Sequence, residues 1–105
     1  MEYELTKNNF DELVTNKKGI ALVDFWASWC GPCQMQAAVI EELAYELDDV
    51  VIGKVNVDEQ PELAMQFNIS SIPTLIIFMD GRCVSTQVGY HSKRDLMMLI
   101  NQFRK

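Results

Sequence analysis

Two cysteines separated by Gly31-Pro32, in the string Trp29-Cys30-Gly31-Pro32-Cys33, follow an apolar run and open a segment that reads as a long helix. That placement puts two thiols within reach of each other. It also sets the first sulfur near the positive end of a helix dipole and near unpaired backbone N–H groups, which favours thiolate over thiol. Thiolate is the species that attacks disulfides. The spacing therefore points to redox exchange, with Cys30 as the attacking sulfur. Cys33, one turn in and more buried, is the candidate to resolve a mixed disulfide. A zinc pair is the competing reading. Zinc needs four ligands, and the other candidates, Cys83 and His91, do not supply a second C-x-x-C.

Asp24 is the next residue that could do chemistry, because it interrupts the apolar run Ile20–Ala27. A carboxylate there is expected to be buried, and desolvation raises its pKa toward the working range. Residue types alone leave two roles open. Asp24 is either a proton-handling group or a structural acid paired with Lys54 or with backbone. Lys54 by itself reads as a surface lysine in an alternating strand. Pro73 by itself reads as an ordinary trans proline before a strand.

The elements that must position these residues alternate strand and helix signals, without repeats or linkers. Glu2–Leu5 is a short strand candidate. Thr6 can cap a helix running to about Asn16, with Phe10, Leu13 and Val14 on one face. Ile20–Ala27 is nearly all apolar, the pattern of a strand covered on both sides. Pro32 suits the first turn of the next helix, where Met35, Val39, Leu43 and Leu47 repeat at i+4 as its expected buried stripe. Val50–Val57 reads as a strand. Pro61 opens a short helix through Phe67, with Asn68 as its stop. Thr74–Met79 and Cys83–Val88 flank Asp80-Gly81-Arg82, a strong antiparallel hairpin signal. Ser92 with Asp95 starts the last helix, whose apolar face is Leu96, Leu99, Ile100 and Phe103. The order is βαβαβαββα, an α/β chain with a mixed sheet and helices on both faces.

Composition narrows the function. A chain of 105 residues is read as one domain, 1–105. Its formal net charge of −6 argues against nucleic acid or an anionic membrane as a main partner. The N-terminus lacks the basic and apolar regions of a signal peptide, and no apolar run is long enough to span a bilayer. Three cysteines make a poor disulfide scaffold. The expected compartment is the reducing cytoplasm, where disulfides are mostly transient and catalytic.

Four strings, taken together, carry a family resemblance: Ala21-Leu-Val-Asp-Phe-Trp-Ala-Ser-Trp-Cys-Gly-Pro-Cys33, Lys54-Val-Asn-Val-Asp58, Ile72-Pro73-Thr74 and Val88-Gly89. In order and spacing the chain resembles the thioredoxin family from Tyr3 to about Phe103. The resemblance implies a thioredoxin fold, with a central mixed five-stranded sheet, four flanking helices and a C-terminal antiparallel hairpin. It implies a protein-disulfide reductase that needs no cofactor and is re-reduced by a thioredoxin reductase, working as a monomer. It gives Asp24 the role of exchanging protons with Cys33, with Lys54 as its neighbour. It makes Pro73 cis and facing the cysteine pair, with the Ile72 backbone pairing to an extended substrate. Trp29, Gly31, Pro32, Ile72, Pro73, Val88 and Gly89 would form an apolar rim round Cys30, although ordinary packing is the preferred reading for Val88. Trp26 is expected to support the loop from the core.

The departures from the family pattern matter as well. Gln34 stands where a lysine often follows the second cysteine. Ala38 replaces a helix-kinking proline, so an uninterrupted helix is expected. Ser70-Ser71 and Tyr90-His91 alter the rim and leave open a relative dedicated to one partner. His91 reads as a surface residue. Cys83 is expected to be a small buried hydrophobe. A metal-binding module and a non-redox interaction module are the rivals from other classes.

Overall fold

The computed structural model describes residues 1–104. Five strands, β1 (Glu2–Glu4), β2 (Ile20–Trp26), β3 (Val50–Asn56), β4 (Thr74–Met79) and β5 (Arg82–Val88), form one sheet in the order β1-β3-β2-β4-β5. β3 runs parallel to both β1 and β2, whereas β4 is antiparallel to β2 and β5 antiparallel to β4. Helices α1 (Gly31–Glu46), α2 (Pro61–Gln66) and α3 (Lys93–Phe103) and a short helical segment, Asp11–Thr15, complete the chain. The mixed five-stranded sheet with four helices and a closing hairpin agrees with the sequence reading.

Strand parity divides the core. Successive residues of a strand face opposite sides of the sheet. In β2, Ile20 and Leu22 pack with Ile40, Leu43, Ile52, Leu96 and Ile100 on the side of α1 and α3. Ala21, Val23 and Phe25 pack with Phe10, Val14, Leu63 and Phe78 on the other side. There Phe67 stacks near Phe10, Phe25 and Phe78 with ring centroids 5.3, 5.9 and 5.4 Å apart. By the same alternation Asp24 follows Leu22 to the α1 side.

Several local expectations shift. Thr6 closes a turn rather than capping a helix: its Oγ1 accepts from Asn8 N–H at 3.2 Å, and the Asn9 side chain accepts from Thr6 N–H at 2.7 Å. The helical segment starts only at Asp11, with Phe10 at its N-cap and no side-chain cap bond. It is wound with a π pitch, Asn16 N–H donating to Asp11 C=O at 2.7 Å. Phe10 and Val14 of this stretch are buried against the sheet. In α1 the inward stripe is Cys33, Gln36, Ile40, Leu43 and Ala44, continued by Leu47. Met35, expected in that stripe, is 63% exposed. An i+4 repeat fixes a helical period but not its phase, and Cys33 sets the phase by packing under the β2 end. With Ala38 in place of proline, α1 is uninterrupted.

The hairpin turn at Asp80-Gly81 has both residues at positive φ, +52° and +83°, as a two-residue connection requires. Ile77 pairs Ser85 and Phe78 pairs Cys83, which leaves Val84 as a bulge in edge strand β5. At this edge Cys83 is exposed rather than buried as expected. A Cβ on Gly81 would collide with the Thr15 carbonyl oxygen. Gly81→Ala is expected to cost about 1–3 kcal/mol through this collision and the left-handed φ. A lowered urea midpoint with unchanged slope would show it; an unchanged midpoint would refute it.

Candidate active site

β2 ends at Trp26, and α1 begins five residues later at Gly31, so the Ala27–Cys30 loop lies at the carboxyl end of the sheet. Cys30 is the N-cap of α1, in extended conformation, and Pro32 occupies the first turn, where its missing N–H costs nothing. The Cys30 sulfur accepts a hydrogen bond from Cys33 N–H at 3.2 Å. That bond, with the dipole behind it, stabilises negative charge on Cys30 Sγ. Cys30 and Cys33 are joined as a disulfide with Cα atoms 5.3 Å apart. Cys30 is 6% exposed and Cys33 2%, with Ala27 packed against both. Of the two sulfurs, Cys30 is the one a partner reaches more readily.

The Ile72–Pro73 bond is cis, and the Ile72 carbonyl oxygen lies 3.7 Å from Cys30 Sγ. Pro73 itself is buried, so what reaches the surface beside Cys30 is half-buried Ile72. Thr74 Oγ1 donates back to Ser71 C=O and tightens this loop. Gly89 N–H donates to Pro73 C=O at 2.8 Å, which brings the β5 end to the same place. Gly89 has φ +90° and open space where a Cβ would stand. Val88, for which core packing was preferred, is 61% exposed, because β5 is an edge strand. Trp29 is 70% exposed, and its indole N–H donates to Asp58 Oδ2 at 2.8 Å. Gly31 and Pro32 are exposed next to it. The rim residues named from the sequence thus come from the first turn of α1, the end of β5 and the loops beside them, with Pro73 buried beneath.

Asp24 is completely buried, and neither carboxylate oxygen has a protein hydrogen-bond partner. Burial pushes its pKa up to about 7; Lys54 opposes the rise and Glu2 adds to it. Lys54 is the direct register partner of Asp24 across β2 and β3. Its Nζ, however, pairs with Glu2 Oε2 at 3.7 Å and lies 4.5 Å from the Trp26 ring centroid. The lysine moderates the carboxyl without closing an ion pair on it. A cleft of about 210 Å³ has Trp26, Cys33, Gln34 and Lys54 in its lining. Larger concavities, about 290 and 460 Å³, lie at the other end of β2, around Ile20 and Asp49, and no cysteine lines them.

Two site features escape the sequence reading. Asp58 was noticed only as part of a string, and its bond to Trp29 depends on two loops meeting. Gln36 is fully buried and hydrogen-bonded to the His91 backbone in both directions. The i+3 spacing from Cys33 was its available signal. Half-buried His91 is held through this backbone contact. Among the described residues no three His, Cys, Asp or Glu side chains gather as a metal site, and no helix is long and apolar enough to cross a membrane.

A redox-active cysteine pair capping a helix beside a cis-proline loop, with a buried carboxyl under that helix, defines a thiol–disulfide oxidoreductase. The thioredoxin family model matches residues 2–102. Thioredoxin from Alicyclobacillus acidocaldarius is 52% identical over 93 residues, 88% of this chain and 88% of its own. Thioredoxin from Chlamydia caviae is 47% identical over 98 residues, 93% and 94% of the two chains. Thioredoxin from Staphylococcus haemolyticus is 47% identical over 100 residues, 94% of each. The chain belongs to the thioredoxin family, and its activity is that of a protein-disulfide reductase.

The buried carboxyl gives stability a distinct pH dependence. Unfolded, Asp24 titrates near 3.8; folded, near about 7. Between those values the folded chain keeps a proton that the unfolded chain has lost, so stability falls as pH rises. The loss is absent below the unfolded value and complete above the folded one, at roughly 4 kcal/mol in full. Asp24→Asn should therefore gain on wild type progressively between pH 3.8 and about 7 and hold a constant difference above it. Denaturant unfolding of both proteins across that range checks the sign. A difference that shrinks with rising pH would show Asp24 to be a stabilising ionised group instead.

Proposed function

We propose that Cys30 is the attacking sulfur and Cys33 the resolving one. The Cys30 thiolate attacks one sulfur of a substrate disulfide, forming a Cys30–substrate bond and releasing the other substrate sulfur as thiolate. The Cys33 thiolate then attacks Cys30 Sγ. The mixed disulfide breaks, the second substrate sulfur leaves, and the Cys30–Cys33 bond takes its place. Two electrons pass to the substrate. The observation that carries this reading is the N-cap position of Cys30, its sulfur accepting from Cys33 N–H.

Asp24, on the α1 side of β2 with a pKa near working pH, takes the proton from Cys33 as it becomes nucleophilic. Lys54 tunes that carboxyl. Trp29, Gly31, Pro32, Ile72 and Gly89 contact the substrate over Pro73, with the Ile72 backbone adding to an extended segment. The oxidised chain is returned to dithiol by a thioredoxin reductase, which places it in a reducing compartment such as the cytoplasm. The Val84 bulge in edge strand β5 discourages strand-to-strand pairing and fits a monomer working as one domain.

Trapping tests the assignment. Cys33→Ser, expressed in its native cells, should accumulate reducible covalent adducts, because no second thiolate reaches Cys30. Cys30→Ser should trap far fewer and lose dithiothreitol-driven insulin reduction, while Cys83→Ser keeps most of it. Several adducts mark a general reductant; one dominant adduct marks a carrier dedicated to one partner. Equal trapping by the two variants would overturn the division of roles.

A further inference from the structure

Gln36 is a polar side chain at 0% exposure, in the inward stripe of α1 and one turn beyond Cys33. An apolar residue of the same size would fill that volume with no polar group to satisfy. The amide instead spends both of its ends on one residue. His91 N–H donates to Gln36 Oε1 at 2.8 Å, and Gln36 Nε2 donates to His91 C=O at 2.9 Å. A paired bond of this kind fixes position and register, as a strand pairing does.

The clamp falls at a sensitive place. Gly89 is tied to Pro73 C=O, His91 is tied to Gln36, and Ser92 caps α3 by accepting from Asp95 N–H at 3.1 Å. The His91 ring closes the segment further, with Nδ1 3.0 Å from Gly89 C=O. Tyr90 is held between two anchors, 41% exposed, beside the Gly89 edge of the rim. A side chain carried on a pinned backbone offers an aromatic surface at low entropic cost to a partner.

We propose that Gln36 is a positioning residue that pins the Gly89–His91 segment to the redox helix and thereby fixes Tyr90 as a contact for apolar or aromatic residues flanking a substrate disulfide. The proposal rests on the reductase roles given above. It predicts that Gln36 matters for peptide substrates more than for a disulfide with nothing attached.

The test compares insulin with hydroxyethyl disulfide, which has no flanking peptide, for wild type, Gln36→Met, Tyr90→Ala and the double variant. Losing the clamp, at about the net worth of one hydrogen bond, should lower the insulin-to-small-disulfide ratio of kcat/KM about fivefold, mainly through KM. Tyr90→Ala should lower the ratio similarly, and the double variant no further, because both act through one contact. Amide exchange at His91 should quicken in Gln36→Met. Should Gln36→Met not fold, Tyr90→Ala decides, and an unchanged ratio overturns the proposal. Fully additive losses, or equal losses on both substrates, also overturn it. A wild type that reduces neither substrate overturns the reductase roles beneath it; a wild type that reduces both, with unchanged ratios in the variants, overturns this proposal alone.

Discussion

Everything at the active end depends on β2 being buried on both faces at the centre of the sheet. Two-sided burial locks the parity of the strand, since a slip of one residue would exchange its whole apolar set between faces. With Leu22 and Phe25 fixed on opposite sides, Asp24 has to enter the α1 side. The same register sets Lys54 opposite Asp24. Where β2 stops, the chain turns into α1 with Cys30 as its cap. The carboxyl and the cysteine pair are thus set by one strand and the helix that follows it.

Two separate electrostatic devices result. Cys30 gains from a helix start, where an N–H donor and the dipole favour its anion. Asp24 is placed where water does not compensate its charge, so its proton is held to near neutrality. Lys54 could have cancelled that effect by pairing directly. Drawn toward Glu2 and the face of Trp26, it leaves the carboxyl without an ion-pair partner. The cost is borne by the fold as lower stability at neutral pH.

The rim is held by hydrogen bonds over a small apolar cluster of Ala27, Cys30 and Cys33. Trp29 to Asp58, Gly89 to Pro73 and Gln36 to His91 each join segments far apart in the chain, and Thr74 to Ser71 tightens one loop locally. Such ties fix segments at small apolar cost and leave the rim side chains of Trp29, Pro32 and Val88 exposed. β5 shows the contrast: an edge strand with Cys83, Val84 and Val88 in solvent, it contributes its end to the rim and little to the core.

The sequence by itself determined whatever rests on neighbours along the chain. A cysteine pair before a proline-led helix, an acid inside an apolar strand and Asp-Gly between two strand runs each carry their physics locally, and each appears where it was expected. What only the tertiary structure decided is where several segments must meet. The period put Met35 inside α1, whereas the structure places Gln36 there, its amide met by His91, 55 residues away. Cys83 and Val88 read as packed from their residue types alone, but strand order put them on an edge. The π winding of Asp11–Thr15, closed by Asn16 N–H on Asp11 C=O, has no signal in its residue types. Local propensity and period are written in short windows, whereas phase, edge position and the partner of a buried amide exist only once distant segments are in contact.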